Sequence, residues 1–549
     1  PYEYAFSRTR WITAEDVENL RTRHLAWWKR FWSMSEISLD DPVIEQRYYL
    51  SKYMLASLSR DPDYPPNILG ISTFDRPAWN GNYKINYNHQ SPYLNLMVSG
   101  HFEQSDPHDA PYLKLMEISD EMCKRLLHHE GLYYPLGLGP DGVVSEALLL
   151  HMKSPALHGA LNMIYRYEIS QDTRYAWKVY PYLRGVAEFW EKDLVLRDGV
   201  YHVVGDGMHE RTDGNIRENG VPEDPVNTLG YLKTFFTRLP KISEALELDE
   251  EKRTKWQEIA ENLAPYPKGT IREIQDNPTL WKEVDVKLED LLPQEMLDKE
   301  IYYDEGVGGK WSFHFPGNIM HIYPGNAVGL GSDQKELEVA RNTVHIHSLV
   351  ENKLGELEYK KALERAADEK KATVVKHAHF YKAGAFNASN LSCLFFTAAV
   401  RTGYDPDIIW NEMRDMIIHR GIPNGFLKEN PHGIEQLNTI PDAIQEMMLQ
   451  SYEDVIRIFP VWPRKKHPNA SFRNFRAWGG FEVSASLKDG EIEKVTVLSH
   501  KGNTCRVENP WPEKSVIVKY GYSGREEVCF GEYLSIELQK EEQVLLFVL

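Results

Sequence analysis

The segment from Trp79 to Gln90 concentrates side chains that bind sugars and water. It contains four Asn, one Gln and three aromatic residues in twelve positions, WNGNYKINYNHQ. An Asn amide can orient a hydroxyl group or a water while carrying no charge, and aromatic rings stack on the faces of sugar rings. Asn also favours turns, so the composition is typical of a turn-rich loop as well. The segment alone leaves a binding site and a plain loop both open.

A second candidate is Glu435, in the segment NPHGIEQLN at 430–438. We predict an amphipathic helix over 435–454, which places this acidic residue at a helix start. The N-terminal end of a helix favours an ionised carboxylate, which suits a general base. Simple helix capping explains the same pattern.

A third candidate is Glu210, which lies in the charged segment GDGMHERTD at 205–213. A glutamate held in a partly desolvated loop, or close to another carboxylate, can stay protonated near neutral pH and donate a proton. Glu210 is also one of the many acidic residues of the chain, and a surface position explains it equally well.

Motifs for other chemistries do not fit. The pairs His345/His347 and His377/His379 are spaced by two residues, and such pairs diverge on a helix. The glycine-rich stretches at 306–310 and 329–335 do not match a phosphate-binding loop, and the sequence contains no GxSxG motif. We therefore expect no metal and no organic cofactor.

The elements that position these residues are of two kinds. Residues 40–460 show about a dozen segments with helical periodicity and long Gly/Pro-rich loops. A helix is also predicted over 12–34, where Thr13 and Asp16 form a capping-box pattern. After residue 466 apolar and polar residues alternate, and Asp489-Gly490 between two such runs predicts a hairpin.

These patterns predict a mainly α protein with a C-terminal antiparallel β domain. We divide the chain into linker helices at 1–40, a helical catalytic domain at 41–465 and the β domain at 466–549. A helical repeat array is the competing architecture, although no fixed period of 34 or 40 residues is visible.

Composition and charge exclude several partner classes. The 549 residues carry a formal net charge of −18, with a pI near 5.6, so the surface repels nucleic acids and anionic membranes. No apolar stretch is long enough to span a bilayer. The chain starts without Met, so a leader or an N-terminal domain could have been removed.

Three segments of the chain resemble glycoside hydrolase family 95, which contains inverting α-L-fucosidases and α-L-galactosidases. YPPNILGISTFDRPAWNGNYKINYNHQ (64–90) is similar to the family's LPANLQG…W…Y…NIN stretch, and HIYPGN (321–326) to its LYPG segment. GIEQLNTIPDAIQEMMLQSYEDVIRIFPVWP with FRAWGGFEV (433–483) is similar to the ending QIDGNFG…EMLLQSH…LLPALP…RARGGFEV. The resemblance extends over roughly residues 20–500.

The resemblance implies an (α/α)6 barrel followed by a C-terminal β-sandwich. It places Asn86 and Asn88 at the two Asn that hold the attacking water, and Glu435 at the Asp that acts with them as the base. Glu210 falls at the general acid if a one-residue gap is allowed, with Glu218 in reserve. The family's N-terminal β domain is missing from this chain or was cut away.

The sequence also departs from the family. Glu replaces Asp at 435, which lengthens the side chain by one methylene. The family's His-His-Asn-Thr-Asp stretch corresponds to YYPLGLGPDG (133–142), and its His-rich segment becomes WSFHFPGN (311–318), which keeps only His314. Because those family residues line the sugar pocket, we expect the chemistry to be kept and the preferred sugar to differ.

The resulting hypothesis is an inverting, exo-acting glycosidase that removes an α-linked sugar resembling L-fucose or L-galactose from oligosaccharides or polysaccharides. Glu210 donates a proton to the leaving oxygen, and Glu435 activates water held by Asn86 and Asn88. The predicted substrate-binding residues are Trp79, Tyr83, Tyr87, Gln90, His314 and His432.

The alternatives are a polysaccharide lyase and a sugar-binding pseudoenzyme on the same barrel. A lyase needs a basic groove for uronate carboxylates, and the acidic balance of the chain argues against it. The presence of both Asn86 and Asn88 argues against a decayed site. Family members often meet their substrates outside the cytoplasm, so we expect an extracytoplasmic location; the oligomeric state stays open.

Overall fold

The computed structural model describes eight stretches of the chain. They are residues 2–70, 78–144, 147–207, 221–273, 291–306, 317–349, 392–427 and 433–548. Within them the chain is mostly helical as far as Met448, and mostly β-strand from Ala470 onward.

The longer helices are Tyr2–Thr9, Ala14–Ser33, Pro42–Leu58, Ser91–Val98, Met116–Leu127, Pro155–Ser170, Thr173–Asp193, Val226–Ala245, Glu250–Glu261, Ser392–Arg401, Pro406–Arg420 and Thr439–Met448. Another helix occupies 334–349, and Phe102–Ser105 and Ala110–Lys114 are short. The capping box predicted at Thr13 and Asp16 is confirmed at the start of Ala14–Ser33. Among the described helices, none has the length and apolar character needed to cross a membrane.

The helices fall into two burial classes that alternate along the chain. Pro155–Ser170 and Val226–Ala245 bury residues on all their faces. Thr173–Asp193 and Glu250–Glu261, which follow them in turn, bury mainly one stripe of residues. A helix buried all round lies inside a domain, whereas a one-sided helix lies at its surface. The mainly helical fold is confirmed, and the closure of these pairs into a six-pair barrel stays a prediction.

The C-terminal part is an antiparallel β unit, as predicted. A seven-stranded sheet has the spatial order Glu36–Leu39, Ala470–Ala477, Phe481–Lys488, Glu491–Ser499, Glu542–Phe547, Val516–Tyr520 and Glu526–Cys529. Thr504–Glu508 and Tyr533–Glu537 form a second, two-stranded sheet. The predicted hairpin is confirmed, since Lys488 pairs with Glu491 across Asp489-Gly490. Both turn residues have positive φ, as a tight hairpin turn requires.

The described stretches contain four further antiparallel strand pairs outside these two sheets. They are Tyr83–Lys84 with Gly137–Leu138, Val195–Arg197 with Val200–His202, Lys268–Thr270 with Glu300–Tyr302, and Leu449–Gln450 with Arg457–Ile458. Each strand has only two or three residues, which is too short for alternation of apolar and polar residues to be recognised in the sequence.

One strand of the large sheet comes from the N-terminal region. Glu36–Leu39 pairs with Ala470–Ala477, with Ile37 opposite Phe472. The sequence analysis did not identify this strand, because four residues carry too little alternation. The pairing fastens the region between the N-terminal helices and the helical domain to the C-terminal sheet.

Two predicted helices have different bounds in the structure. The helix predicted over 242–264 covers the end of Val226–Ala245 and the whole of Glu250–Glu261, which are separated by a turn in which Asp249 has a left-handed backbone. The helix predicted over 435–454 begins only at Thr439 and ends at Met448. Pro441 lacks a backbone N–H and is tolerated only in the first turn of a helix, so the helix cannot extend back to Glu435.

Asp41 connects the helix Pro42–Leu58 to the helix Pro406–Arg420, and its replacement tests the strength of that connection. Its carboxylate accepts a hydrogen bond from the backbone of Val43 at 3.0 Å, which caps Pro42–Leu58, and another from the buried indole of Trp410 at 3.1 Å. Asp41→Ala removes the cap and leaves the indole N–H unpaired, so we expect a loss of about 3 kcal/mol in stability. The measurement is the midpoint of urea unfolding.

Asp405→Ala is the matched control for this prediction. Asp405 is an exposed cap that accepts from the backbone of Asp407 at 2.8 Å, and its removal should cost about 1 kcal/mol. Equal shifts of the unfolding midpoint in the two variants would show that the hydrogen bond from Trp410 to Asp41 adds no stability.

Candidate active site

Residues 85–90 of the Asn-rich segment form a turn between a small strand pair and a helix, here called the Asn-rich turn. Tyr83–Lys84 pairs with Gly137–Leu138, and the backbone N–H of Ile85 donates to the carbonyl of Leu136 at 3.0 Å. Ser91–Val98 then begins directly after Gln90. Both ends of the turn therefore belong to regular structure, which restricts the backbone between them.

The Asn and Gln side chains of this turn are buried, as is Asn82 just before the strand pair. Asn82, Asn86, Asn88 and Gln90 all have exposures of 6% or less. The Gln90 amide donates to the carbonyl of Ile85 at 2.5 Å and to the hydroxyl of Tyr112 at 3.0 Å. Burying an amide is costly unless it is hydrogen-bonded. Hydrogen bonds within the protein therefore fix the orientation of these side chains.

Glu435 lies in a separate 3₁₀ turn, Ile434–Leu437. The backbone N–H of Ile434 donates to the carbonyl of Ile68 at 3.2 Å. Just after the turn, the side chain of Asn438 accepts from the Asn95 amide at 2.5 Å. Because Asn95 lies on the helix that follows Gln90, this contact brings the Glu435 turn against the Asn-rich turn.

The two turns meet through Asn88 and Glu435. The Asn88 side chain hydrogen-bonds the Glu435 carboxylate, which is fully buried. Burial raises the pKa of Glu435 to about 7, while the bonds from its own backbone N–H and from Asn88 oppose that rise. The arrangement is a carboxyl group that exchanges its proton near neutral pH, held against an oriented amide.

The aromatic residues of the segment divide between core and surface. Tyr83 and Tyr87 are 5% and 2% exposed, so they form part of the packed interior in this conformation. Trp79 is 52% exposed and has a left-handed backbone, as does Asn80. Two consecutive non-glycine residues with left-handed backbone angles are strained, and such strain is concentrated at binding sites. Contact of these residues and of Gln90 with a sugar stays a prediction.

Four residues from the sequence predictions lie outside the described stretches. They are Glu210, Glu218, His314 and His432. Of the predicted set, the structure places Asn88 against Glu435. Asn86, Tyr83, Tyr87 and Gln90 lie in the same buried segment as Asn88.

Asp206 is a second buried carboxylate, two residues before the stretch that contains Glu210. It accepts hydrogen bonds of 2.6 Å from the Thr228 hydroxyl and from the Lys153 backbone. Burial raises the pKa of Asp206 to about 6. Its sequence neighbourhood, GDG, gives no signal of burial, since Thr228 and Lys153 come from distant parts of the chain.

In the described stretches one group could by its residue types hold a metal ion, His202 with Glu223 and Asp224. The imidazole of His202 lies 2.7 Å from a carboxylate oxygen of Asp224, and Glu223 forms an ion pair with Arg197. Glu223 and Asp224 thus each have a partner within the protein, Arg197 and His202 respectively.

Two family models match parts of the chain. Residues 2–287 match the model of the glycosyl hydrolase family 95 catalytic domain, and residues 450–544 match the model of the family's C-terminal domain. No curated protein matches the sequence.

Several solved structures resemble the chain at low sequence identity. A protein from the human microbiome assigned as a kojibiose phosphorylase is 13% identical, with a TM-score of 0.51 over 97% of this chain and 63% of its own. α-L-rhamnosidases from Dictyoglumus thermophilum and Streptomyces avermitilis are each 12% identical over 93% of this chain and have TM-scores of 0.42 and 0.40. The matches cover 50% and 42% of those two proteins. The chain thus spans less than two thirds of each of these structures.

The buried carboxyl group predicts a pH-dependent gain in stability for Glu435→Gln. A folded-state pKa of about 7, above the ordinary value of 4.5, means that the carboxyl group is neutral in the fold at low pH and carries a penalised charge at high pH. The variant should match the wild type below pH 4.5 and exceed it by about 3 kcal/mol well above pH 7.

The measurement is urea unfolding of both proteins at several pH values. Glu251→Gln, at an exposed position on Glu250–Glu261, is the control for loss of a carboxylate without burial. A stability difference for Glu435→Gln that stays constant across this pH range would show that the carboxyl group is not desolvated.

Proposed function

The chain belongs to glycoside hydrolase family 95, and from that premise we propose that it hydrolyses a glycosidic bond with inversion at the anomeric carbon. The substrate is an oligosaccharide or polysaccharide with a terminal α-linked sugar resembling L-fucose or L-galactose. The observation that carries the proposal is the contact between the Asn88 amide and the buried carboxyl group of Glu435.

This contact suits a base that removes a proton from water. An Asn side chain has a donor group and an acceptor oxygen, so Asn88 can donate to Glu435 while its oxygen accepts from a water molecule. Such a water has its lone pair free to attack the anomeric carbon as Glu435 takes its proton. Asn86, two residues earlier in the same buried turn, is the second amide for this water.

The reaction also needs an acid on the opposite side of the sugar. In our proposal Glu210 protonates the leaving oxygen, with Glu218 as the alternative. Inversion requires the two carboxyl groups to be ~6.5–9.5 Å apart, so that water fits between the base and the sugar. The acid must stay protonated until it acts, which a neighbouring carboxylate would favour because two close carboxylates resist simultaneous ionisation.

A panel of aryl and oligosaccharide α-L-fucosides, α-L-galactosides and related sugars tests the reaction. Proton NMR of the wild type should show a released sugar whose first-formed anomer is inverted. Glu435→Gln should reduce turnover about 10²–10⁴-fold, because the general base is lost. A retained anomeric configuration, or an unchanged rate in this variant, would contradict the mechanism.

Glu168→Gln is the matched control for loss of a buried carboxyl group. Burial raises the pKa of Glu168, as it does that of Glu435. Its carboxylate faces Arg238 at 3.7 Å, away from the Asn-rich turn, and Arg238 keeps an ion pair with Asp454 at 2.8 Å. This variant should retain wild-type turnover.

The pH profile gives a second prediction. Because Glu435 must be ionised to accept a proton, kcat/KM should fall as the pH decreases through about 7. The hydrogen bond from Asn88 stabilises the ionised form, so Asn88→Ala should raise the pKa and move this limb of the profile to higher pH. If this limb of the profile does not move in Asn88→Ala, Asn88 does not stabilise the ionised form of Glu435. The measurement is kcat/KM from pH 5 to pH 9.

A further inference from the structure

The helix Pro155–Ser170 contacts the Asn-rich turn through two of its side chains. The Nδ1 of His158 lies 3.2 Å from the backbone carbonyl oxygen of Asn86. The side-chain amide of Asn162 donates to the carbonyl oxygen of Gln90 at 2.9 Å. A carbonyl oxygen can only accept, so Nδ1 of His158 carries the proton in this contact.

The spacing of these two contacts matches the geometry of the turn. His158 and Asn162 are four residues apart, about one helical turn, and therefore lie on the same face of the helix. The carbonyl groups that they bind are also four residues apart, and Asn88 is midway between them. The helix thus fixes the turn on both sides of the residue that contacts Glu435.

The helix is a rigid support for these contacts. Fourteen of its residues are buried, including His158 and Asn162. The His158 ring lies against the ring of Tyr231, with centroids 5.0 Å apart, and its orientation is therefore restricted. At the other end of the helix, the carbonyl of Glu168 accepts from the backbone of Gly479 in the C-terminal unit at 2.8 Å.

We propose that His158 and Asn162 are positioning residues, which hold the turn from Asn86 to Gln90 so that the Asn88 amide is aligned with Glu435. This inference rests on the proposed function and deepens it. Neither residue needs to touch the sugar, because each acts through a backbone carbonyl of the turn. A positioning error of about 1 Å at reacting groups can reduce turnover 100-fold.

The test compares variants that remove and restore the donor atoms. His158→Leu and Asn162→Ala remove them, whereas His158→Asn keeps an N–H close to the position of Nδ1. We expect kcat to fall about 10- to 100-fold in the first two, with KM changed less than about threefold. The limb of the kcat/KM profile that reports Glu435 should move to higher pH, and His158→Asn should restore most of the wild-type values.

A control variant separates positioning from general stability. Asn509→Ala removes another buried Asn that donates to backbone carbonyls, those of Lys514 and Gly531 at 3.1 and 3.0 Å, in the C-terminal unit. It should lower the unfolding midpoint without moving kcat or the pH profile. If Asn162→Ala does not fold, the pair His158→Leu and His158→Asn decides the question.

A direct titration distinguishes failure of this inference from failure of the proposed function. The Glu435 carboxyl group can be followed by ¹³C NMR in protein labelled at Glu, with its signal identified by its absence in Glu435→Gln. Removal of either donor should raise its apparent pKa, whether or not the wild type turns over any substrate. Folded variants with wild-type kcat, pH profile and Glu435 titration would overturn the inference.

Discussion

The cost of burying the Glu435 carboxyl group is the constraint on which the site depends. A carboxylate without exposure to water loses its hydration, and only fixed donors can replace it. Here the replacement is small, consisting of its own backbone N–H and the Asn88 side chain, so burial still raises the pKa of Glu435 to about 7. A group poised in this way requires a rigid surrounding, because a small movement of either donor changes its protonation.

That rigidity comes from polar groups that bind one another inside the protein. Asn95 binds Asn438 and so joins the helix after the Asn-rich turn to the turn that contains Glu435. Gln90 and Asn162 complete the contacts of the Asn-rich turn with its surroundings. Each of these amides is buried, so breaking one contact leaves a polar group without a partner and costs its full desolvation free energy. Buried networks of this kind specify one arrangement more strictly than apolar packing does.

The C-terminal unit is part of this support. Trp478 lies between the ring of Tyr165, 5.8 Å away, and the guanidinium of Arg238, 4.5 Å away. Tyr165 belongs to Pro155–Ser170, the same helix whose first half contacts the Asn-rich turn. The strand Glu36–Leu39 joins the sheet at its edge. The C-terminal unit therefore braces the helix that holds the Asn-rich turn.

The sequence by itself determined the local features, since these depend on neighbouring residues. The cap at Thr13, the hairpin at Asp489-Gly490 and the mainly helical chain with a β ending follow from short patterns. The resemblance to family 95 also selected Asn86, Asn88 and Glu435 together. Only the tertiary structure decided that Asn88 contacts Glu435, that Glu435 is buried, and that His158 and Asn162 hold the turn. Such contacts join residues far apart in the chain, and the pKa of a carboxyl group depends on what surrounds it in space rather than in sequence.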